Sequence, residues 1–274
     1  MNTLVKQTEL TVQKIRHPLK ARLLQVCRVN QLTASRVRIT LTGDDLADFT
    51  SASFDDHVKV FFPSSPGAKP VLPIIGPSGP TFPEGERPAA RDYTPRRYDG
   101  VARELDIDFV LHGSGPAATW AAQATVGQYL GIAGPRGSFV IPHEFDWHLL
   151  IGDESALPAI ARRLEELPGG KRVLAVIEVA NPDVEPALET DTDLSIQWVH
   201  CPVASTDGIS PLERVVRRLH LPDGEGYIWA AGESASIRAI RQYLVQERGL
   251  DKSRIRAASY WRRGDIAAHE TFDE

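Results

Sequence analysis

Apolar and polar residues alternate through the first part of the chain with a period close to two. Leu105, Ile107 and Phe109 are separated by aspartates, as expected for a strand with one buried face. The same pattern predicts further strands at residues 21–29, 36–42 and 58–62. The stretch 64–88 is rich in proline and glycine and therefore predicts a loop. Several short strands ahead of any long helix favour an antiparallel β-barrel.

From Trp147 onward, longer apolar runs alternate with helical patterns. The runs that are apolar on both faces lie at residues 147–152, 173–180, 194–201, 227–232 and 255–260. One helix is predicted at 157–167, and another begins at Glu233, carries an apolar stripe and ends at Gly249. Strands that are apolar on both faces are typical of a parallel sheet covered by helices, so this part predicts an open α/β sheet.

Length and composition fit two domains. The chain has 274 residues, of which 42% are hydrophobic, which is enough for two cores of ordinary size. We therefore predict an α/β two-domain fold, with an antiparallel β-barrel at residues 21–143 followed by an open parallel α/β sheet at 144–274. Residues 1–20 are predicted as an N-terminal lead-in, either disordered or a short docking segment.

Charge and cysteine content exclude several classes of protein. The net charge of -5 opposes nucleic-acid binding, because that function needs a dominant basic face. No run of about 18 uncharged apolar residues is present, which predicts no membrane insertion, and the first residues lack the apolar segment of a secretion signal. The widely separated Cys27 and Cys201 favour a reducing cytoplasm, and the histidine spacing predicts no protein-bound metal.

Two motifs carry the clearest chemical signal. Arg91-Asp-Tyr-Thr-Pro-Arg96 is predicted as a strand, so that Arg91 and Tyr93 share one face. About twenty residues later, His112-Gly-Ser-Gly-Pro-Ala-Ala-Thr-Trp120 is predicted as a glycine-rich turn that opens a helix. Free N–H groups at such a turn attract a pyrophosphate, while the ring and hydroxyl suit a flavin. The parallel strand and acidic residue of a Rossmann fingerprint do not follow, so a flavin dinucleotide in another fold is favoured.

The order and spacing of these motifs resemble the siderophore-interacting protein family, which comprises flavin-dependent ferric-siderophore reductases of the ferredoxin-reductase-like group. Further matching segments are His57-Val-Lys-Val-Phe-Phe-Pro63, Gly134-Pro-Arg-Gly-Ser-Phe139, Gly152-Asp-Glu-Ser-Ala-Leu-Pro158, Ala231-Gly-Glu-Ser-Ala-Ser236 and Tyr260-Trp-Arg-Arg-Gly264. The resemblance covers nearly all of the chain after residue 20. It implies that the barrel is an FAD-binding domain and that the parallel sheet is an NAD(P)H-binding domain.

The resemblance implies a set of FAD ligands in the first domain. Arg91 would bind a phosphate, Tyr93 the ring or ribityl chain, and Thr94 the flavin edge near N5. The turn of Gly113, Gly115, Pro116 and Ala117 would hold the pyrophosphate, with His112 along the ribityl chain or phosphates and Trp120 nearby. The alternatives are a core aromatic for Tyr93, an ion pair of Arg91 with Asp92 or Asp108, and an ordinary strand-to-helix turn.

The resemblance also implies a nicotinamide site at the carboxyl ends of the parallel strands. Its residues would come from two small-residue turns: Asp153, Glu154, Ser155, Ala156, Gly232, Glu233 and Ser234. Plain helix caps are the alternative, because Asp, Ser and Glu are favoured at helix starts. Trp261 would cover the flavin or the substrate pocket, with core packing as its alternative. Any of the arginines on the last helix or after the last strand would suit a 2′-phosphate and favour NADPH over NADH, namely Arg238, Arg241, Arg262 and Arg263.

By the same resemblance, an anionic ferric siderophore would bind a cluster of basic residues. These are Lys59, Arg136, Arg262 and, as an equal candidate for the third place, Arg263. The predicted activity passes electrons from NAD(P)H through FAD to siderophore-bound Fe(III), releasing Fe(II). No catalytic side-chain base or nucleophile is predicted. The alternatives are a general flavin or ferredoxin-type reductase, a non-enzymatic siderophore-binding protein, and a ferredoxin as the electron donor.

Overall fold

The computed structural model describes residues 10–83, 87–111, 115–200, 208–264 and 270–271. The elements of the first part are β1 (Gln13–Arg16), β2 (Ala21–Thr33), β3 (Arg36–Thr42), β4 (Val58–Phe61), β5 (Ile74–Gly76), β6 (Gly79–Thr81), β7 (Ala90–Tyr93), β8 (Arg97–Asp99), β9 (Glu104–Val110), α1 (Pro116–Ala122), β10 (Tyr129–Ala133) and β11 (Gly137–Val140). Those of the second part are β12 (Trp147–Asp153), α2 (Leu157–Glu166), β13 (Arg172–Val179), β14 (Asp193–His200), α3 (Pro211–Arg218), β15 (Gly226–Glu233), α4 (Ser234–Gln242), β16 (Ile255–Trp261) and β17 (Glu270–Thr271).

The first part is dominated by one antiparallel sheet with the strand order β7-β4-β10-β2-β3-β9-β8. The strands at the two ends of this order, β7 and β8, are joined by residues 94–96 alone, so the sheet curves back on itself. Its core contains the fully buried side chains of Leu24, Ile39, Val60 and Ile107. The predicted antiparallel β-domain is therefore confirmed.

One prediction for this sheet is wrong, because β9 is buried on both faces. Asp106 and Asp108 are only 3% and 5% exposed. Asp106 accepts hydrogen bonds from Thr40 at 2.7 Å and from Arg97 at 2.8 Å, and Asp108 accepts two from Arg38 at 2.6 and 2.9 Å. Partners on neighbouring strands cover the polar face. Alternation along one strand cannot predict this, because it carries no information about what packs above each face.

Short elements add to the predicted organisation. β1 pairs antiparallel with β11, and the His17 ring is hydrogen-bonded to the Ser138 hydroxyl at 2.7 Å, so part of the predicted lead-in is a strand. The predicted loop at 64–88 contains the hairpin of β5 and β6. These strands span four residues or fewer, which is too short for a periodic pattern to stand out.

The second part is a mostly parallel sheet with helices on both faces. Its strand order is β14-β13-β12-β15-β16-β17, and among these described strands all pairs are parallel except that of β17 with β16. Helix α2 packs on one face through Leu157 and Ile160, while α3 and α4 pack on the other through Val216 and Ile237. This arrangement confirms the predicted open α/β sheet. No helix in the described ranges is long and apolar enough to cross a membrane.

Helix α3 was missed by the sequence analysis. It is eight residues long and begins after Ser210, whose hydroxyl accepts a hydrogen bond from the Glu213 N–H at 3.1 Å. Pro211 occupies its first turn. A serine followed by a proline is a recognised start signal, so this helix was predictable from its cap.

A buried polar contact joins the two sheets. Asp55, in the loop before β4, accepts hydrogen bonds from the Trp229 Nε1 at 2.8 Å and from the Arg256 Nε at 3.0 Å. The ring of Phe54 packs edge-on against Trp229, with centroids 5.4 Å apart. These contacts connect the barrel to strands β15 and β16 of the parallel sheet.

Helix α2 provides a second connection to the barrel. Arg96 and Glu165 form a bidentate ion pair. Arg162 donates to the Ser51 hydroxyl at 2.8 Å and to the Pro95 carbonyl at 2.9 Å. The residues immediately after β7 are thus held against the second sheet.

Candidate functional site

The predicted FAD strand is β7, which lies at one end of the barrel sheet and pairs with β4. Tyr93 is half-buried, and its ring centroid lies 4.5 Å from that of Phe109. Burial raises the pKa of the Tyr93 hydroxyl, which therefore stays protonated. Arg91 donates to the neighbouring backbone carbonyl at 2.7 Å and pairs with neither Asp92 nor Asp108. Hence the ion pair considered for Arg91 is not formed.

The second predicted FAD motif lies where β9 leads into α1. His112 and Gly113 fall outside the described residues. Gly115 is the N-cap of α1, Pro116 occupies its first turn, and no side chain within the described ranges caps the helix. A Cβ placed on Gly115 would meet no atom of the described residues within 4 Å, so this part of the chain leaves open space beside the turn. Ala117 is buried, and its backbone N–H is one of those at the start of α1 that the helix itself does not pair.

Trp120 provides a test of whether this region fits FAD. Its side chain is 7% exposed and packs against the rings of Phe62 and Phe109, with centroids 5.9 Å away in each case. The indole Nε1 is buried and has no hydrogen-bond partner among the described residues. An unpaired buried N–H is unfavourable, and a cofactor acceptor would satisfy it. Together with the open space at Gly115, this donor fits a bound FAD.

Thr94 directly follows β7 and lies against the second sheet. It is 5% exposed, and its side chain lies close to the hydroxyl of Tyr260 on β16. Burial raises the pKa of Tyr260, so this hydroxyl stays protonated. The Tyr260 ring packs edge-on against Trp229, with centroids 6.2 Å apart. The end of the predicted FAD strand therefore meets the end of a parallel strand.

Asp153 ends β12 and accepts four hydrogen bonds from the protein. Its Oδ1 accepts from the N–H and the hydroxyl of Ser155 at 2.9 and 2.5 Å, and its Oδ2 accepts from the Glu233 N–H at 2.9 Å and the Trp261 Nε1 at 2.8 Å. Burial raises the pKa of Asp153, although these hydrogen bonds oppose the shift. A carboxylate has about four acceptor positions, so this one is fully used. Asp153 thus connects both predicted nicotinamide turns with Trp261.

Glycines allow these strand ends to approach closely. A Cβ on Gly232, where φ is 152°, would lie 2.6 Å from Oδ2 of Asp153. A Cβ on Gly152 would lie 2.5 Å from that of Ala156. Larger residues at these positions would separate the turns from each other and from Asp153.

The glutamates of the two turns accept hydrogen bonds from backbone N–H groups of the protein itself. Glu154 accepts a hydrogen bond from the Ala180 N–H at 2.9 Å. Glu233 accepts two from the first turn of α4 at 2.8 and 3.0 Å, so the helix-cap alternative describes this residue. Ala156 and Ser234 are buried. Because the turns stand at the carboxyl ends of β12 and β15, they also line the crevice where open α/β sheets bind ligands.

The predicted cations of the barrel, Lys59 and Arg136, are both exposed. Lys59 on β4 lies opposite Ala133 on β10, and Arg136 follows Ala133 by three residues, so the two share one region. Lys59 also lies opposite Asp92 on β7, and its Nζ is 2.7 Å from Oδ1 of Asp92.

The predicted cations of the second sheet, Arg262 and Arg263, are exposed and directly follow Trp261. The Arg263 N–H donates to Glu233 at 3.4 Å. Trp261 is 38% exposed, so its ring lies at the surface instead of in the core. The core-packing alternative for Trp261 is therefore not observed.

The contact between Thr94 and Tyr260 brings the two groups of cations to adjoining ends of the sheets. Thr94 lies two residues after Asp92, the partner of Lys59, and Tyr260 lies two residues before Arg262. Two residues of strand span about 7 Å. The barrel cations and the arginines that follow β16 are therefore both within a few residues of the contact between Thr94 and Tyr260.

Several contacts in this region were not predicted from the sequence. They are the pairings of Asp92 with Lys59, of Thr94 with Tyr260, and of Asp55 with Trp229 and Arg256. One signal was present, since a tryptophan in the middle of an apolar strand usually needs a partner for its N–H. The identity of each partner depends on strand register and on the packing of the two sheets, which no local pattern specifies.

Comparison with known proteins extends over both parts of the chain. Residues 25–139 match the family model described as the siderophore-interacting FAD-binding domain, and residues 145–264 match that of the siderophore-interacting protein. The NADPH-dependent ferric-chelate reductase of Escherichia coli (strain K12) is 38% identical over 252 residues, which cover 91% of this chain and 96% of that protein. The ferric vibriobactin reductase ViuB of Vibrio cholerae is 35% identical over 255 residues, which cover 91% of this chain and 93% of ViuB.

A solved structure gives the same result. The crystal structure of a siderophore utilization protein from T. fusca superposes with a TM-score of 0.86 at 40% sequence identity, and the match covers 94% of this chain and 99% of that one. The shared architecture includes both sheets. The chain therefore belongs to the siderophore-interacting protein family.

Proposed function

We propose that this protein is a ferric-siderophore reductase that takes electrons from NADPH and passes them through FAD to siderophore-bound Fe(III). The main support is that the predicted FAD strand lies next to the predicted nicotinamide turns. Thr94 contacts Tyr260, and the adjacent Trp261 donates a hydrogen bond to Asp153. FAD, when bound, couples a two-electron donor to one-electron acceptors. The E. coli and V. cholerae relatives are named as ferric reductases, which supports the assignment.

The FAD-binding domain in this proposal is residues 21–143. Arg91 and the N–H groups of the α1 turn bind the phosphates, because a guanidinium and free helical N–H groups suit an anion. Tyr93 would contact the ring or ribityl chain, Thr94 would bind at the flavin edge, and Trp120 would donate its Nε1–H to the cofactor. The turn residues are His112, Gly113, Gly115, Pro116 and Ala117.

The NADPH-binding domain in this proposal is residues 144–274. Its walls are Glu154, Ser155, Ala156, Gly232, Glu233 and Ser234, which Asp153 holds together. Trp261 covers the site, because its indole is exposed and oriented by a hydrogen bond. NADPH is favoured over NADH by the donor named for the E. coli relative and by Arg238 and Arg241 on α4, which suit a 2′-phosphate.

The chelate binds at the cations Lys59, Arg136, Arg262 and Arg263. In a chain with a net charge of -5, such a local basic cluster attracts an anionic ligand to one place. Reduction to Fe(II) weakens binding by hard oxygen donors, and the iron is released. No side-chain base or nucleophile is needed, since the residues bind and orient the reactants.

The proposal is tested with the purified protein after incubation with FAD. Under anaerobic conditions, NADPH is expected to bleach the flavin absorption band, and a ferric siderophore is expected to restore it while a ferrous-specific chelator traps Fe(II). The same mixture without protein is the control. Fe(II) release that is no faster with the protein, across catecholate, hydroxamate and carboxylate siderophores, would contradict the proposal.

Other outcomes select the alternatives. Equal activity with free flavin or artificial acceptors, and indifference to the siderophore, would indicate a general flavin reductase. Tight chelate binding without oxidation of NADPH or NADH would indicate a siderophore-binding protein. Bleaching by a reduced ferredoxin but by neither nicotinamide would assign the ferredoxin as donor.

A further inference from the structure

Asp92 places a negative charge among the cations of the proposed chelate site. It lies on β7 directly opposite Lys59 on β4, and Oδ1 of the carboxylate is 2.7 Å from the Lys59 Nζ. The Asp92 side chain is 18% exposed and that of Lys59 is 49% exposed. The carboxylate is therefore the more buried partner of this ion pair.

This ion pair has a larger effect on the local potential than on stability. Pairs that include a half-exposed lysine contribute little to folding, because solvent screens them and ordering the long side chain is unfavourable. A fixed carboxylate at this distance nevertheless cancels much of the field of the ammonium group. Without it, Lys59, Arg136 and the arginines after β16 would present a more strongly positive surface.

We propose that Asp92 is a specificity-determining residue, which lowers the positive potential at Lys59 so that the site favours ferric chelates of low net charge over strongly anionic ones. This inference rests on the proposed function, because it assumes that Lys59 contacts the chelate. Asp92 follows Arg91 and precedes Tyr93 on the same strand. Strand β7 therefore has the proposed FAD ligands Arg91 and Tyr93 on one face and Asp92 on the other.

The inference predicts an effect that depends on the charge of the chelate. Replacing Asp92 with asparagine preserves the shape of the side chain and removes its charge. A trianionic ferric tris-catecholate is expected to bind about three- to tenfold more tightly, the size of effect for one charge acting on three through screened water at about 8 Å. A neutral ferric tris-hydroxamate has no net charge to interact with the carboxylate, so its affinity is expected to change by less than about twofold.

The experiment measures dissociation constants of both chelates by quenching of intrinsic fluorescence, using the oxidised FAD-loaded protein without nicotinamide. The variants are Asp92→Asn, Lys59→Ala and the double substitution. Asp44→Asn is the matched control, since it also removes the carboxylate of an ion pair, with Arg103 at 2.6 Å. Arg103 precedes the Glu104 end of β9, whereas Tyr93 contacts Phe109 near the other end.

The outcomes separate this inference from the proposed function. Tighter binding of the trianionic chelate by Asp92→Asn alone, with a smaller gain when Lys59 is alanine, supports the inference. If Lys59→Ala weakens binding but Asp92→Asn does not strengthen it, the chelate site is supported and the selector role is wrong. An equal gain for both chelates, or an equal gain in Asp44→Asn, also overturns that role. If Lys59→Ala changes neither affinity, the chelate site and the inference both fail.

Discussion

Asp153 and Trp261, which are 108 residues apart in the sequence, are joined by a 2.8 Å hydrogen bond from the indole Nε1 to Oδ2. The same oxygen accepts the Glu233 N–H, and the other oxygen binds Ser155. One carboxylate thus orients an exposed aromatic ring relative to both turns that line the crevice. Asp153 acts on the proposed nicotinamide site by positioning its neighbours.

Asp153→Asn is therefore expected to disturb the crevice. An asparagine has one oxygen and one NH2 group in place of two acceptors, so at least one buried donor loses its partner, at a cost of about 1–3 kcal/mol. The affinity for NADP+, which is unreactive toward oxidised flavin, is expected to fall about tenfold. Chemical unfolding and calorimetric titration measure the two effects.

Trp261→Phe separates ring orientation from overall stability. It keeps an aromatic ring but removes the indole N–H, and because the residue is 38% exposed, the expected loss of stability is under about 1 kcal/mol. NADP+ affinity is still expected to fall. Wild-type affinity in both Trp261→Phe and Asp153→Asn would contradict the positioning role.

Gly115→Ala tests the cofactor turn. Because an added Cβ would meet no atom of the described segments within 4 Å and φ is -69°, the expected change in stability of the FAD-free protein is within about 0.5 kcal/mol. A Cβ at that position would lie where the FAD phosphates are proposed to bind, so FAD affinity is expected to fall at least about tenfold. Flavin fluorescence during titration measures it.

Gly169→Ala is the control for this substitution. Its added Cβ would make only ordinary contacts, 3.5 Å or more from Asp191, and it lies before β13 at the amino end of the parallel sheet. FAD affinity is expected to stay unchanged. If Gly115→Ala also binds FAD like the wild type, the turn does not contact the cofactor.

Asp55→Ala is expected to weaken the connection between the two sheets. It would leave the buried Trp229 N–H and the Arg256 guanidinium without this partner, and loss of one member of such a pair costs about 3–5 kcal/mol. Asp44→Ala, which removes an exposed ion pair, is expected to cost less than about 1 kcal/mol. Equal losses in the two variants, measured by urea unfolding, would contradict a structural role for Asp55.

His148 is expected to make stability depend on pH. Burial, reinforced by Arg163 and Lys171, lowers its pKa to about 3, so the native ring is neutral. The unfolded chain binds a proton below about pH 6.5, hence unfolding takes up a proton and stability falls as the pH decreases from there toward about 3. Between about pH 7.5 and pH 5.5, this residue is expected to contribute a loss of about 1.4 kcal/mol.

Urea unfolding at both pH values measures this contribution. His148→Phe is expected to reduce the pH-dependent loss by that amount, because the ring that becomes protonated on unfolding is absent. His220→Asn, at an exposed position, serves as the control. An unchanged pH dependence in His148→Phe would show that other groups produce it.

Local sequence patterns predicted the type of secondary structure correctly where the elements were long. The apolar runs from Trp147 onward correspond to strands β12 to β16, with ends that differ by one residue, because a strand buried on both faces is unbroken in sequence. Alternation located β9 but misjudged Asp106 and Asp108, whose burial depends on Arg97 and Arg38 of neighbouring strands. Short strands such as β1 had no pattern to detect.

The sequence by itself determined the order of the two sheets, the motifs of the FAD strand and the α1 turn, and the family. These properties depend on residues that are close together along the chain, where periodicity, caps and motif spacing are visible. Only the tertiary structure decided that Asp153 is saturated by Ser155, Glu233 and Trp261 and that Asp92 faces Lys59. Those pairings require strand register and sheet packing, which long-range contacts establish when the chain folds.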